Sequence, residues 1–154
     1  MAETSLTFTE ALEVAIHEEV KAFNMYSNLS KKVNSAATKV MLDELAQQEM
    51  GHRKLLEKIV QSGKYNQLGQ NVPAESQGIA EFLVATDINE AASPQEVIIF
   101  AIKAEIKAFN FYNDFVKHFS GTELEDLFSR LASEEQQHKI KLENEYETYF
   151  MRDN

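Results

Sequence analysis

The feature that most constrains this chain is a short motif that occurs twice at a fixed offset. Glu49-Met50-Gly51-His52 carries a Glu and a His three residues apart, and Glu135-Gln136-Gln137-His138 repeats the pair 86 positions later. A further Glu stands 30 residues before each motif, Glu19 before Glu49 and Glu105 before Glu135. On a helix, residues three apart project from one face. A fold that brings the two copies together therefore gathers four carboxylates and two imidazoles in one place.

The surrounding sequence says where that place is. Leu12, Ile16, Glu19, Phe23 and Tyr26 recur at steps of four and three, which is one face of a helix with Glu19 at its middle. Thr7 and Glu10 have the spacing of a capping box that would start this helix. A second helix, about residues 37–62, carries Leu42, Leu45, Glu49, His52, Leu56 and Ile59 on one stripe and ends at Gly63. The third has the clearest start, with Ser93 as cap, Pro94 at the first helical position and Glu96 closing the box. Its stripe is Ile98, Ile102, Glu105, Phe109, Tyr112 and Val116. The fourth opens on a Thr122/Glu125 box and aligns Leu124, Phe128, Leu131, Glu135, His138, Leu142, Tyr146 and Tyr149. A carboxylate inside an apolar stripe is costly unless it is paired or bound to metal.

Between the second and third helices, about residues 64–93, Gly69, Pro73 and Gly78 break the pattern, and a short helix is expected over 79–85. That is long for a loop but suits the crossover of a four-helix bundle that is not simply up-down-up-down. The halves on either side are duplicates. Residues 15–26 align without gaps on residues 101–112, and eight of the twelve positions are identical. Each half, about 8–63 and 94–150, reads as a helix hairpin that leaves its own apolar stripe uncovered. The expected fold is all-α: one domain over 1–154, a four-helix bundle of two duplicated hairpins related by a pseudo-twofold axis, with a long crossover between helices 2 and 3.

Composition excludes several chemistries. Cysteine is absent, which removes disulfides, thiolate zinc, iron–sulfur clusters and a thiol nucleophile. The formal net charge is -10 with no basic stripe, so no nucleic-acid partner is expected. The first residues lack a signal-peptide pattern, and the longest apolar run, residues 97–102, is too short to span a bilayer. The expectation is a cytoplasmic protein without a membrane partner.

One Glu-x-x-His arises readily by chance. Two at the repeat offset, with two more Glu at that same offset and all six on core stripes, do not. Carboxylates are hard anionic ligands that can bridge two cations, and imidazole adds a borderline nitrogen donor. Four carboxylates balance two divalent ions. Iron fits this oxygen-rich set, manganese is a second fit, and zinc could occupy it adventitiously.

Taken together, Glu19, Glu49-x-x-His52, Glu105 and Glu135-x-x-His138 resemble the di-iron site of the ferritin-like superfamily, whose recognised pattern they match. The ungapped duplication, the short chain and the Tyr seven residues after each lone Glu are most similar to the rubrerythrin branch. The likeness covers about residues 8–150. It implies two iron ions per chain, with Glu19 and Glu105 as terminal ligands, Glu49 and Glu135 bridging, and His52 and His138 each on one ion. It implies that Tyr26 and Tyr112 donate to ligand carboxylates. It also implies reduction of hydrogen peroxide or dioxygen, a dry pocket lined by Phe23 and Phe109, and a homodimer.

Two departures qualify the likeness. Full-length rubrerythrins add a cysteine-bound iron site, so electrons here would come from a separate donor protein. Typical members also place a Glu three residues after the helix 3 Glu, where this chain has Ala108. The result is a symmetric four-Glu, two-His set closer to that of bacterioferritin. Ferroxidase or iron-handling activity and a non-catalytic metal-binding role are the alternatives. Outside the set, His17 is expected in solvent, and His118 near a helix end suits the helix dipole. Glu18 and Glu134 point about 100° away from their ligand neighbours, and both are expected to be exposed.

Overall fold

The structure is a computed structural model, and it describes residues 5–63, 72–73 and 93–148. Four helices carry the motifs: α1 (Phe8–Ser30), α2 (Ala36–Ser62), α3 (Pro94–His118) and α4 (Glu123–Tyr146). Of the three helix starts for which the sequence offers a capping box, two form it as expected and one does not. Thr7 with Glu10, and Ser93 with Glu96, form complete capping boxes. Ser35 caps α2 through Thr38 N, so this helix begins one residue earlier than expected, and it ends on Gly63 at φ 65°. The exception is α4, where the Thr122/Glu125 box does not form. The Thr122 hydroxyl donates to Phe119 O at 2.6 Å and accepts from Leu124 N at 3.2 Å. Drawn back in this way it misses Glu125 N, and the Glu125 carboxylate accepts instead from Gly121 N at 2.7 Å.

An all-helical reading did not anticipate one small feature. Residues Ser5–Leu6 (β1) pair antiparallel with Val72–Pro73 (β2), Ser5 opposite Pro73 and Leu6 opposite Val72. The expected crossover over 64–93 lies outside the described residues apart from this pair and Ser93, and the short helix expected over 79–85 lies wholly outside them.

Two apolar layers fix the helix directions. One gathers Leu12, Leu56, Phe115, Phe119, Phe128 and Leu131, and the other Leu29, Leu42, Leu45, Val97, Ile98 and Leu142. Each helix runs from one layer to the other. Within each hairpin the partners are antiparallel, and α2 and α3 both start at the second layer. The first layer is rich in rings, with Phe8 on Phe119 and Phe115 on Phe128 at centroid separations of 5.3 and 5.0 Å, both edge-on. The motif residues occupy the middle of each helix, between the layers. Among the described residues, no helix is long and apolar enough to cross a membrane.

The buried arc of α1 is wider than a single stripe. Besides Leu12, Glu19 and Tyr26 it buries Ala11, Ala15 and Glu18, a second row at steps of four and three. Glu18, expected to be exposed, is buried at 6% relative exposure.

Candidate metal centre

Each hairpin supplies a lone Glu from its first helix and a Glu-x-x-His pair from its second. Because both helices present these residues at mid-length, the six side chains meet between the two apolar layers. Glu49, Glu105 and Glu135 are at most 1% exposed, Glu19 is 2% exposed, and both imidazoles are 5% exposed.

The two halves match in their imidazole–carboxylate distances. His52 Nδ1 lies 3.3 Å from Glu19, 3.2 Å from Glu49 and 3.6 Å from Glu135. His138 Nδ1 lies 3.3 Å from Glu105, 3.2 Å from Glu135 and 3.6 Å from Glu49. The imidazole planes are 12° apart with centroids 5.9 Å apart. Tyrosines interlock the hairpins: Tyr26 on α1 donates to Glu105 Oε1 at 2.6 Å, and Tyr112 on α3 donates to Glu19 Oε2 at 2.5 Å.

What the six residues lack is internal satisfaction. Glu19 Oε1, both Glu49 oxygens, Glu105 Oε2, Glu135 Oε1 and the Nδ1 atoms of both histidines are buried without a hydrogen-bond partner. Buried polar atoms are normally paired, and a cluster of orphans facing one another marks a place for something else. The donor set is four carboxylates and two imidazoles, suited to hard or borderline cations. Two groupings have ligand atoms within 4.8 Å of one another, Glu19/Glu49/His52 and Glu49/Glu105/Glu135/His138, and Glu49 belongs to both. The residues fit a metal centre.

The electrostatics agree. Burial pushes the Glu49 carboxyl well above its ordinary range, and Glu135, Glu19 and Glu105 push it further. Burial also raises Glu135, to about 7, against the moderating effect of His138. For the imidazoles burial opposes the charged form, but the surrounding carboxylates outweigh it and hold His52 at about 9 and His138 at about 10. Burial next to Glu105 and Glu19 raises Tyr26 and Tyr112 well above the usual phenol value, so both remain donors. Without cations, protons have to neutralise the cluster.

A family model described as rubrerythrin matches residues 10–91 and 96–154. The chain belongs to the rubrerythrin family. Solved structures agree on the fold. A Thermotoga maritima protein described as a candidate ferritin-like diiron-carboxylate protein superposes with TM-score 0.71 at 18% identity, over 93% of this chain and 96% of that one. A hypothetical protein of Pyrococcus furiosus superposes with TM-score 0.65 at 26% identity, over 90% of this chain and 87% of that one. The architecture is the ferritin-like four-helix bundle expected from the sequence. A search of curated proteins gives no match.

Two residues beside the centre are placed differently from the sequence expectation. Glu134 was expected in solvent, yet it is only partly exposed, and its Oε1 meets His52 Nε2 at 3.1 Å while Oε2 accepts from Arg130 Nε at 2.9 Å. The turn of about 100° from Glu135 aims it not at water but across the bundle towards α2. Burial would raise its pKa, but the hydrogen bonds with His52 and Arg130 outweigh that and lower it. Glu18, buried in the second row of α1, pairs with Lys21 at 3.5 Å, keeps one oxygen unpartnered and is pushed by burial to about 7. The repeat alone gives no sign of either contact, since Glu18 aligns with Ala104 and Glu134 with Gln48. His17 is exposed as expected, and His118 sits in the last turn of α3. Phe23 and Phe109 are partly buried, one against each apolar layer.

Proposed function

We propose that this protein is a di-iron oxidoreductase of rubrerythrin type that reduces hydrogen peroxide or dioxygen, in the cytoplasm, with electrons from a separate donor protein. The observation that carries this reading is the convergence of two half-sites with matching distances, whose buried oxygens and ring nitrogens have no hydrogen-bond partner in the protein. Glu19, Glu49 and His52 would hold one iron ion, and Glu105, Glu135 and His138 the other. Glu49 and Glu135 would bridge, since each lies 3.6 Å from the Nδ1 of the other half as well as 3.2 Å from its own. When bound, the pair of ions supplies the two electrons that an O–O bond takes up on cleavage.

The protein's own part is positioning and exclusion. Tyr26 and Tyr112 fix one oxygen each of Glu105 and Glu19 and leave the other free for the cation. The phenylalanine-rich layer and the aliphatic layer keep water from the centre on both sides along the bundle. Protons held on Glu49, Glu135 and the imidazoles in the metal-free protein must leave on loading, so affinity rises with pH.

One observation favours a second reading, ferrous oxidation in iron handling. The position one turn beyond Glu105 is the buried Ala108, so a seventh carboxylate is absent from the set. Anaerobic ferrous titration of the metal-free protein, followed by separate mixing with O₂ and H₂O₂ in the presence of a reduced donor, distinguishes the two. Binding of two iron ions with sustained, donor-dependent turnover is the expected result. A single round of oxidation with release of ferric product transfers the reading to iron handling, and iron that binds but never changes oxidation state ends both.

A further inference from the structure

The distances from each Nδ1 to its carboxylates match pairwise between the halves, and the plainest inequality between them arises outside the six residues. It does so behind the imidazoles. Glu134 stands at the back of His52, with Oε1 3.1 Å from Nε2, and is itself tied by Oε2 to Arg130 one turn earlier on α4. The repeat relates Glu134 to Gln48, which is exposed, and no described carboxylate pairs with Nε2 of His138. The two rings are thus equally placed but differently held.

We propose that Glu134 is a positioning residue that makes the two halves of the metal centre unequal, so that the half containing His52 loads first and binds its ion more tightly. The inference rests on the metal-binding reading of the centre. The physical reason is the tautomer. Once loading displaces the Nδ1 proton, a carboxylate on Nε2 keeps the remaining proton there, leaves the Nδ1 lone pair for the cation, fixes the ring plane and makes the donor more basic. His138 must select that tautomer and orientation without such help. A hydrogen-bonded partner of this kind is typically worth 10–100-fold in metal affinity.

The test is titration of the metal-free full chain with zinc(II), a diamagnetic probe. Calorimetry gives the two affinities, and long-range ¹H–¹⁵N NMR of the ring nitrogens shows which histidine responds. The expected result is that His52 Nδ1 shifts with the first equivalent and His138 Nδ1 with the second, the affinities differing by about 10-fold or more. Glu134→Gln should weaken the first step about 10–100-fold and merge the two, and Gln48→Glu should strengthen only the second. Gln48 is on the exposed face of α2, so this variant decides the matter even if Glu134→Gln fails to fold. Simultaneous response of both rings, prior response of His138, equal weakening of both steps by Glu134→Gln, or no effect of Gln48→Glu overturns the proposal. If neither ring responds to two equivalents, the metal-binding reading itself fails.

Discussion

The centre of this bundle and its rim obey different rules. At the centre the duplicated halves keep the same residues and the same distances, 3.3, 3.2 and 3.6 Å around each Nδ1. One residue along the chain the correspondence breaks, with Glu18 against Ala104 and Glu134 against Gln48. The difference lies in what each position demands. In the centre every carboxylate is buried, and an unmatched change in either half leaves an uncompensated charge or an orphaned nitrogen in a low-dielectric interior. At the rim a Gln or an Ala can stand in the other half, because the buried Glu18 and the half-buried Glu134 are each paired with a basic side chain on their own helix, Lys21 and Arg130.

The change expected to separate centre from rim most strongly is Glu49→Leu. Glu49 is 0% exposed, both of its oxygens are unpartnered, and three other carboxylates face it. Removing it should abolish binding of both ions, because it stands in both ligand groupings. The same change leaves the two imidazoles one buried carboxylate short, so it should also destabilise the metal-free protein, by up to about 3–5 kcal/mol. Glu18→Leu also removes a buried carboxylate but should leave metal content at two per chain. Metal analysis and thermal denaturation of the metal-free forms check both. Equal metal content in the two variants would show that the centre is not organised around Glu49.

A second contrast is between the metal-free and loaded protein as pH changes. His52 and His138 have folded-state values of about 9 and 10 against an ordinary 6.5, so the folded state binds more protons than the unfolded one. Their contribution to stability is complete below about 6.5 and is lost as pH rises through 9 and 10. Glu135, raised to about 7 from 4.5, acts with the same sign at lower pH, since its contribution is complete below 4.5 and lost through 7. The metal-free protein should therefore lose stability steadily from pH 5 to 10. The loaded protein should not, because cations take the place of those protons. Parallel curves with and without metal, measured by denaturant unfolding, would contradict the assignment.

The centre was legible in the sequence because it is local and periodic. Glu49 and His52 are neighbours on one helix face, and the repeat offset ties them to Glu135 and His138 without knowledge of the fold. The caps were equally legible wherever the box chemistry is strictly local, as at Thr7 and Ser93. What could not be read depends on contacts between helices. Glu134 reads as a solvent-facing residue because its own helix gives no reason to do otherwise, and its partner is 82 residues away on α2. Glu18 was misplaced for a related reason, since alanine positions carry little periodic signal and conceal how wide the buried arc of α1 is. At Thr122 the spacing of a box was present, but competition from the Phe119 carbonyl was not visible.

The finest test of the comparison uses the two tyrosines. Tyr26 and Tyr112 are both essentially buried, and each donates across the bundle to the lone glutamate of the other hairpin at 2.6 and 2.5 Å. Replacing either with Phe leaves a buried carboxylate oxygen without its donor, a loss of about 1–3 kcal/mol in the metal-free protein. If symmetry at the centre is insulated from asymmetry at the rim, the two single variants should cost the same to within a few tenths of a kcal/mol. The double variant reports on coupling. Four carboxylates share one cavity, so removal of the first donor lets the cluster reorganise, and the second removal should cost less than the first. Unequal single costs, with Tyr112→Phe the larger, would mean that the Glu134 hydrogen bond to His52 is felt through Glu19, the residue His52 and Tyr112 share. Unequal costs in the wild-type background that become equal once Gln48→Glu is introduced would locate the source of the inequality behind the imidazoles rather than within the carboxylate set.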